Sequence, residues 1–66
     1  MTAKEMKSLK PEDTVVYDDG RAGHRGVKAV VLSNHPDYAV VQFEDRADTT
    51  TMRHSDTGWT EYLSRA

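Results

Sequence analysis

The chain has 66 residues, a net charge of −2 and no cysteine. One small domain is the natural reading of that length, and disulfides and thiolate metal sites are excluded. No apolar run of the roughly 18 residues that a membrane-spanning helix needs is present.

Thr2 followed by Glu5 has the spacing of a capping box, with Met6 and Leu9 then sharing one helical face. One or two helical turns over 3–9 are predicted, with residues 1–10 otherwise a flexible arm. So short a helix is marginal alone and forms only if Met6 and Leu9 dock on something. Pro11 ends it, because the residue before a proline is pushed out of the helical region. These first ten residues lack an apolar segment, so no secretory signal is expected and a cytoplasmic location is the default.

Extended segments follow. Thr14–Tyr17 is β-branched and aromatic, and Asp18-Asp19-Gly20 bounds it. Val27–Leu32 is the second run, ended by the turn signal Ser33-Asn34-His35-Pro36-Asp37. Tyr38–Phe43 is the third and Thr49–Arg53 the fourth, with polar turns after each. Trp59–Leu63 reads as a fifth short strand, or as a helical turn leading into one. Strands at this spacing, joined by connections too short for helical crossovers, are antiparallel neighbours in an all-β barrel or sandwich. Alternation assigns Ala39, Val41 and Phe43 to the core and Tyr38, Val40 and Gln42 to the other face. The second strand is apolar on both faces, so cover on both sides is expected, with the N-terminal turn as one cover or a homodimer as another.

The stretch Leu9-Lys10-Pro11-Glu12-Asp13-Thr14-Val15 resembles the turn that feeds the first strand of many SH3-like barrels, with Glu12 where that group usually has glycine. The first strand, the loop with Gly20, Gly23 and Gly26, the apolar second strand and the Val-rich third strand resemble the KOW and Tudor-like group. The resemblance covers most of the chain. It implies a small five-stranded antiparallel SH3-like barrel over residues 1–66 with a short N-terminal helical turn. Relatives of that architecture bind RNA, ribosomal or polymerase components, methylated or proline-rich peptides, or other proteins. A shared fold does not carry a function with it.

A barrel this small fills its interior with side chains and leaves no room for the roughly 300–1,000 Å³ of a drug-sized cleft, so function is expected on the surface. The loop from Gly20 to Gly26 concentrates Arg21, His24 and Arg25, with Lys28 just after. Glycine permits close backbone approach, and arginine forks suit phosphate or carboxylate. No helix follows this loop, which argues against a nucleotide cradle. Among the aromatics, Tyr17, Tyr38 and Trp59 would line a ligand groove by analogy with SH3-like folds. Asp18, Asp19, Glu44, Asp45 and Asp48 lie at predicted turns, where turn chemistry alone explains aspartate.

His24, His35 and His54 show no metal-ligand spacing, and His54-Ser55-Asp56 has triad residue types without triad geometry. Ser55 reads as a turn or helix cap. No metal, cofactor or catalytic constellation is expected. The leading expectation is a non-enzymatic protein-interaction module, an accessory or inhibitor of a larger host machine, presenting Tyr38, Trp59 and the Arg21–Arg25 loop. The alternative is a KOW-like RNA- or DNA-binding module that contacts phosphates through Arg21, Arg25 and Lys28, although the net acidity lacks the basic excess such binders show.

Overall fold

The computed structural model describes residues Met1–Ala66. Its first element closes as the capping box requires. Helix α1 spans Ala3–Lys7; the Thr2 hydroxyl accepts from the Glu5 N–H at 3.1 Å, and the Glu5 carboxylate accepts from the Thr2 N–H at 3.0 Å. That backbone bond holds the Glu5 carboxyl below the ordinary glutamate value. Met6 and Leu9 are both buried, so the helix docks through the residues that periodicity assigns to its apolar face.

Five strands follow: β1 (Thr14–Tyr17), β2 (Val27–Asn34), β3 (Tyr38–Phe43), β4 (Thr49–Arg53) and β5 (Leu63–Arg65). A short helix, α2 (Thr57–Thr60), lies between the last two. All pairings are antiparallel, in the order β4-β3-β2-β1-β5. Consecutive strands pair because their connections are short, and β5 returns to β1, setting Tyr17 opposite Leu63. The sheet is open: β4 and β5 are its two edges, and no ladder joins them.

The alternation of β3 holds throughout. Ala39, Val41 and Phe43 are buried, while Tyr38 is exposed and Val40 and Gln42 are half-buried. Val41 and Phe43 form one contiguous core with Met6, Leu9, Val15, Ala29, Val31, Met52 and Leu63. Met6 and Met52 are fully sealed, and their unbranched side chains suit the irregular space between a bent sheet and a helix end.

Two expectations for β2 are corrected. The strand does not stop at Leu32 but runs through Ser33 and Asn34, because a bulge inserts an extra residue: Val31 pairs with Val41, and Ser33 with Val40. Leu32 is the unpaired residue and is 46% exposed. Nor is β2 covered on both faces. Met6 and Leu9 of the N-terminal segment join the Ala29–Val31 side, and Val30 and Leu32 remain on the uncovered one.

The bulge turns Asn34 inward. Its amide Nδ2 donates to the carbonyls of Met6 at 3.0 Å and Leu9 at 2.8 Å, with a longer contact to Lys7 at 3.3 Å. The Met6 and Lys7 carbonyls belong to the helix end, where carbonyls lack a regular helical donor, and the Met6 carbonyl also accepts from the Leu9 N–H at 3.3 Å. The turn before β1 is held as tightly. Asp13 N–H donates to the Lys10 carbonyl at 3.0 Å and Glu12 N–H to the Val31 carbonyl at 2.8 Å. Glu12 adopts φ +78°, the only non-glycine residue with positive φ. Pro11 followed by a positive-φ residue is the type II turn pattern, whose third position favours glycine.

Candidate aromatic groove

The C-terminal ends of β1 and β3 bring Tyr17 and Phe43 side by side, with ring centroids 6.2 Å apart and planes at 83°. Helix α2 adds Trp59, 5.6 Å from the Tyr17 ring and 6.4 Å from Phe43. Tyr62 completes the cluster at 6.0 Å from Tyr17. The edge-to-face contacts of Tyr17 place positive ring edges on negative faces, the favoured aromatic geometry. Trp59 is set by the cap of its helix. Asp56, not Ser55, is the N-cap: its carboxylate accepts from Gly58 N–H at 2.9 Å and its carbonyl accepts from Trp59 N–H at 3.1 Å.

The loop after β1 supplies the rest. Asp19 organises it. Its Oδ2 accepts from the Tyr17 hydroxyl at 3.0 Å and lies 3.1 Å from His24 Nδ1, while Oδ1 accepts from Arg21 N–H at 2.9 Å. An ionised carboxylate only accepts, so His24 carries a hydrogen on Nδ1. Gly20 and Gly23 make the reversal at φ +78° and +82°; open space surrounds both, so the backbone angle and not crowding requires glycine.

Burial would push the Asp19 carboxyl up, but the Arg21 N–H, the His24 ring and the Tyr17 hydroxyl outweigh it and hold the carboxyl below the ordinary aspartate value. Burial, reinforced by the bond to Asp19, pushes the Tyr17 hydroxyl above the ordinary tyrosine value.

These elements enclose a groove of about 170 Å³ lined by Tyr17, Phe43, Trp59, His24 and Val27, with Asp45 and Arg46 at its rim. The Arg46 guanidinium lies over the Phe43 face, 5.8 Å from its centroid. The groove is half-open and mostly apolar. It offers a hydrophobic floor, aromatic faces, one carboxylate and one cation. No group of three or more His, Asp or Glu side chains converges as a metal site would require.

Of the residues expected to form one surface, Tyr17, His24 and Trp59 meet here. Tyr38 does not. It begins β3, about 17 Å along the strand from Phe43, and stacks on His35 with centroids 4.5 Å apart. Arg21 and Arg25 stay exposed on the loop, where Arg25 Nε donates to the Gly20 carbonyl at 3.1 Å. Lys28 sits on β2 opposite Val16, beside a separate shallow depression with Thr14, Val30 and Gln42.

Sequence reasoning assigned Phe43 to the core alone and Asp45 to a turn; both also form this groove. The signal was present in their position at the end of β3, where strand residues pass into a turn. Comparisons with family models, with curated proteins and with solved structures return no match to this chain.

Proposed function

We propose that this chain is a non-enzymatic protein-interaction module that receives an anchor side chain of a larger partner in the groove between Tyr17, Phe43 and Trp59. The fold we assign to it is a bent five-stranded sheet of the SH3-like kind; the return of β5 to β1 supports that reading.

The observation that carries the proposal is the half-open aromatic floor itself. The half-buried Tyr17 and Trp59 rings converge over the buried Phe43 ring on a concave surface, and tyrosine and tryptophan are enriched among the anchors of interfaces. Its volume suits one inserted side chain, not an enclosed small molecule. Asp45 and Arg46 at the rim add a polar edge that orients the guest. The role is then that of an accessory or inhibitor of a larger assembly.

The test compares captures from lysate by the wild-type chain and by Trp59→Leu, with circular dichroism confirming that the variant folds. A partner retained by the first and lost by the second supports the groove. No partner above background, or equal capture by both, counts against it.

A second reading has its own observation. Arg21, Arg25 and Lys28 are exposed, and none of them is in an ion pair. They are free to contact the phosphates of RNA or DNA. Three such contacts to a single strand predict a slope of about −2 in the logarithm of affinity against that of salt. Binding indifferent to salt removes this reading.

A further inference from the structure

The open sheet ends in two edge strands, and they differ. β5 is three residues long, and the Met1 amino group donates to its Leu63 carbonyl at 2.9 Å. A short edge that another segment covers is protected from pairing with a further chain. β4 has no such protection. It runs for five residues, Thr-Thr-Thr-Met-Arg, with no proline, no lysine and no bulge in its ladder to β3.

The direction of its free backbone groups follows from the pairing. His54 N–H donates to the Asp37 carbonyl, so Met52 and Thr50, on the same alternation, also turn their backbone toward β3. Thr49, Thr51 and Arg53 turn theirs outward, and all three are exposed. The Arg53 carbonyl accepts from Asp56 N–H at 3.1 Å. The Thr49 and Thr51 N–H and C=O groups and the Arg53 N–H have no partner on that side.

This set is complementary to itself. In an antiparallel pair of two β4 strands centred on Thr51, each Thr51 N–H meets the other Thr51 carbonyl, and each Arg53 N–H meets the other Thr49 carbonyl. The one outward carbonyl that is already engaged, Arg53, is the one this ladder can spare. Charge agrees with the same orientation. Arg53 ends the strand and Asp48 precedes it, and neither is in an ion pair. Antiparallel pairing brings each Arg53 toward the other copy's Asp48, whereas parallel pairing sets like beside like. The two-fold arrangement uses both β4 edges and leaves only the protected β5 edges, so it closes as a dimer and does not propagate.

We propose that the β4 edge is a self-association surface, on which a second copy of this chain pairs antiparallel about a two-fold axis at Thr51 and joins the two sheets edge to edge. Strands this short bury less than a stable interface needs, so the dimer is weak and exchanges rapidly.

The test follows the whole labelled chain by sedimentation and amide NMR from roughly 20 μM to 2 mM, the weak end of association. The expected result is a mass that rises toward the dimer, with concentration-dependent shifts at Thr49, Thr51 and Arg53 and none along β1 and β5. Thr51→Pro removes an N–H that bonds nothing within the chain, at an edge position where proline is tolerated. It should keep a dispersed spectrum and weaken association ~10-fold or more, the loss of the central bonds. Thr51→Lys sets two like charges face to face at the axis and should weaken it likewise without touching the monomer, should proline disturb the strand. Arg53→Asp should weaken pairing several-fold, and adding Asp48→Arg to the same chain should restore it. A mass that stays monomeric throughout overturns the proposal. So do shifts centred on Val30 and Leu32 of the uncovered face, or association that both Thr51 variants leave intact.

Discussion

Asn34 and His54, one ending β2 and the other following β4, meet at 2.7 Å beneath the C-terminal end of α1. The same Asn34 side chain caps that helix from below, so one amide joins helix, bulged strand and buried imidazole. Removing it leaves the Leu9 carbonyl and the His54 Nε2 without a partner in or near the core, while the Met6 carbonyl keeps only its long bond from the Leu9 N–H at 3.3 Å. An unpaired buried polar group costs about 1–3 kcal/mol. Asn34→Ala should therefore lower stability by about 2–3 kcal/mol. With a urea slope near 1 kcal/mol per molar for so small a domain, the midpoint falls by about 2–3 M. Asn34→Asp should do no better, because a carboxylate cannot donate to carbonyls.

Glu12 predicts a gain. Its φ of +78° places a side chain in the left-handed region, at a cost of roughly 1–2 kcal/mol. Its side chain is exposed, and its backbone bond to Val31 would survive replacement. Glu12→Gly removes the strain and loses part of the gain to unfolded-state entropy, leaving about 0.5–1 kcal/mol of stabilisation. Thermal unfolding reads this as a rise of roughly 2–8 °C. A β-branched residue at the same position should be destabilising.

Much of this architecture is legible in the chain. β1, β3 and β4 begin and end where runs of β-branched residues meet Asp, Pro and Gly turns, and the Thr2–Glu5 capping box forms. What was not legible depends on contacts between distant residues. Ser33 and Asn34 read locally as a turn, yet they continue β2 because a bulge at Leu32 turns Asn34 toward carbonyls far earlier in the chain. The groove needs three separate elements to converge, so its aromatic membership follows from strand order. Tyr17 and Phe43 end β1 and β3 on the same side of the sheet, whereas Tyr38 begins β3 at the far end.

The pair Tyr17–Asp19 predicts two opposite pH responses. The Asp19 carboxyl ionises more easily in the fold than its ordinary value of 3.8. Its contribution to stability is therefore complete above about pH 4 and is lost as pH falls through the lowered value. Tyr17 is raised above its ordinary value of 10.0, so its contribution is complete below that pH and is lost as pH rises through the raised value. A spectroscopic titration of tyrosinate should show one of the three tyrosines ionising late. In Asp19→Asn that late step should move to lower pH, since the carboxylate and its hydrogen bond contribute to the shift beside burial.

Tyr38 and Trp59 separate docking from folding. Tyr38 is 36% exposed, lies outside the core and stacks only on His35, so Tyr38→Ala should change stability by less than about 0.5 kcal/mol. Trp59 is half-buried against the core as well as lining the groove. Truncating it removes packing with Tyr17 and Phe43, and Trp59→Ala should cost about 2–3 kcal/mol, below the roughly 3–5 of a fully buried aromatic. Trp59→Leu keeps apolar volume on the core side and should cost about half as much, while removing the flat ring that faces the groove. If the groove is the docking surface, partner capture survives Tyr38→Ala and fails in Trp59→Leu at a temperature where both variants remain folded. Loss of capture in Tyr38→Ala alone would move the interface to the opposite end of β3, where His35 and Tyr38 stack, and would overturn the assignment to Tyr17, Phe43 and Trp59.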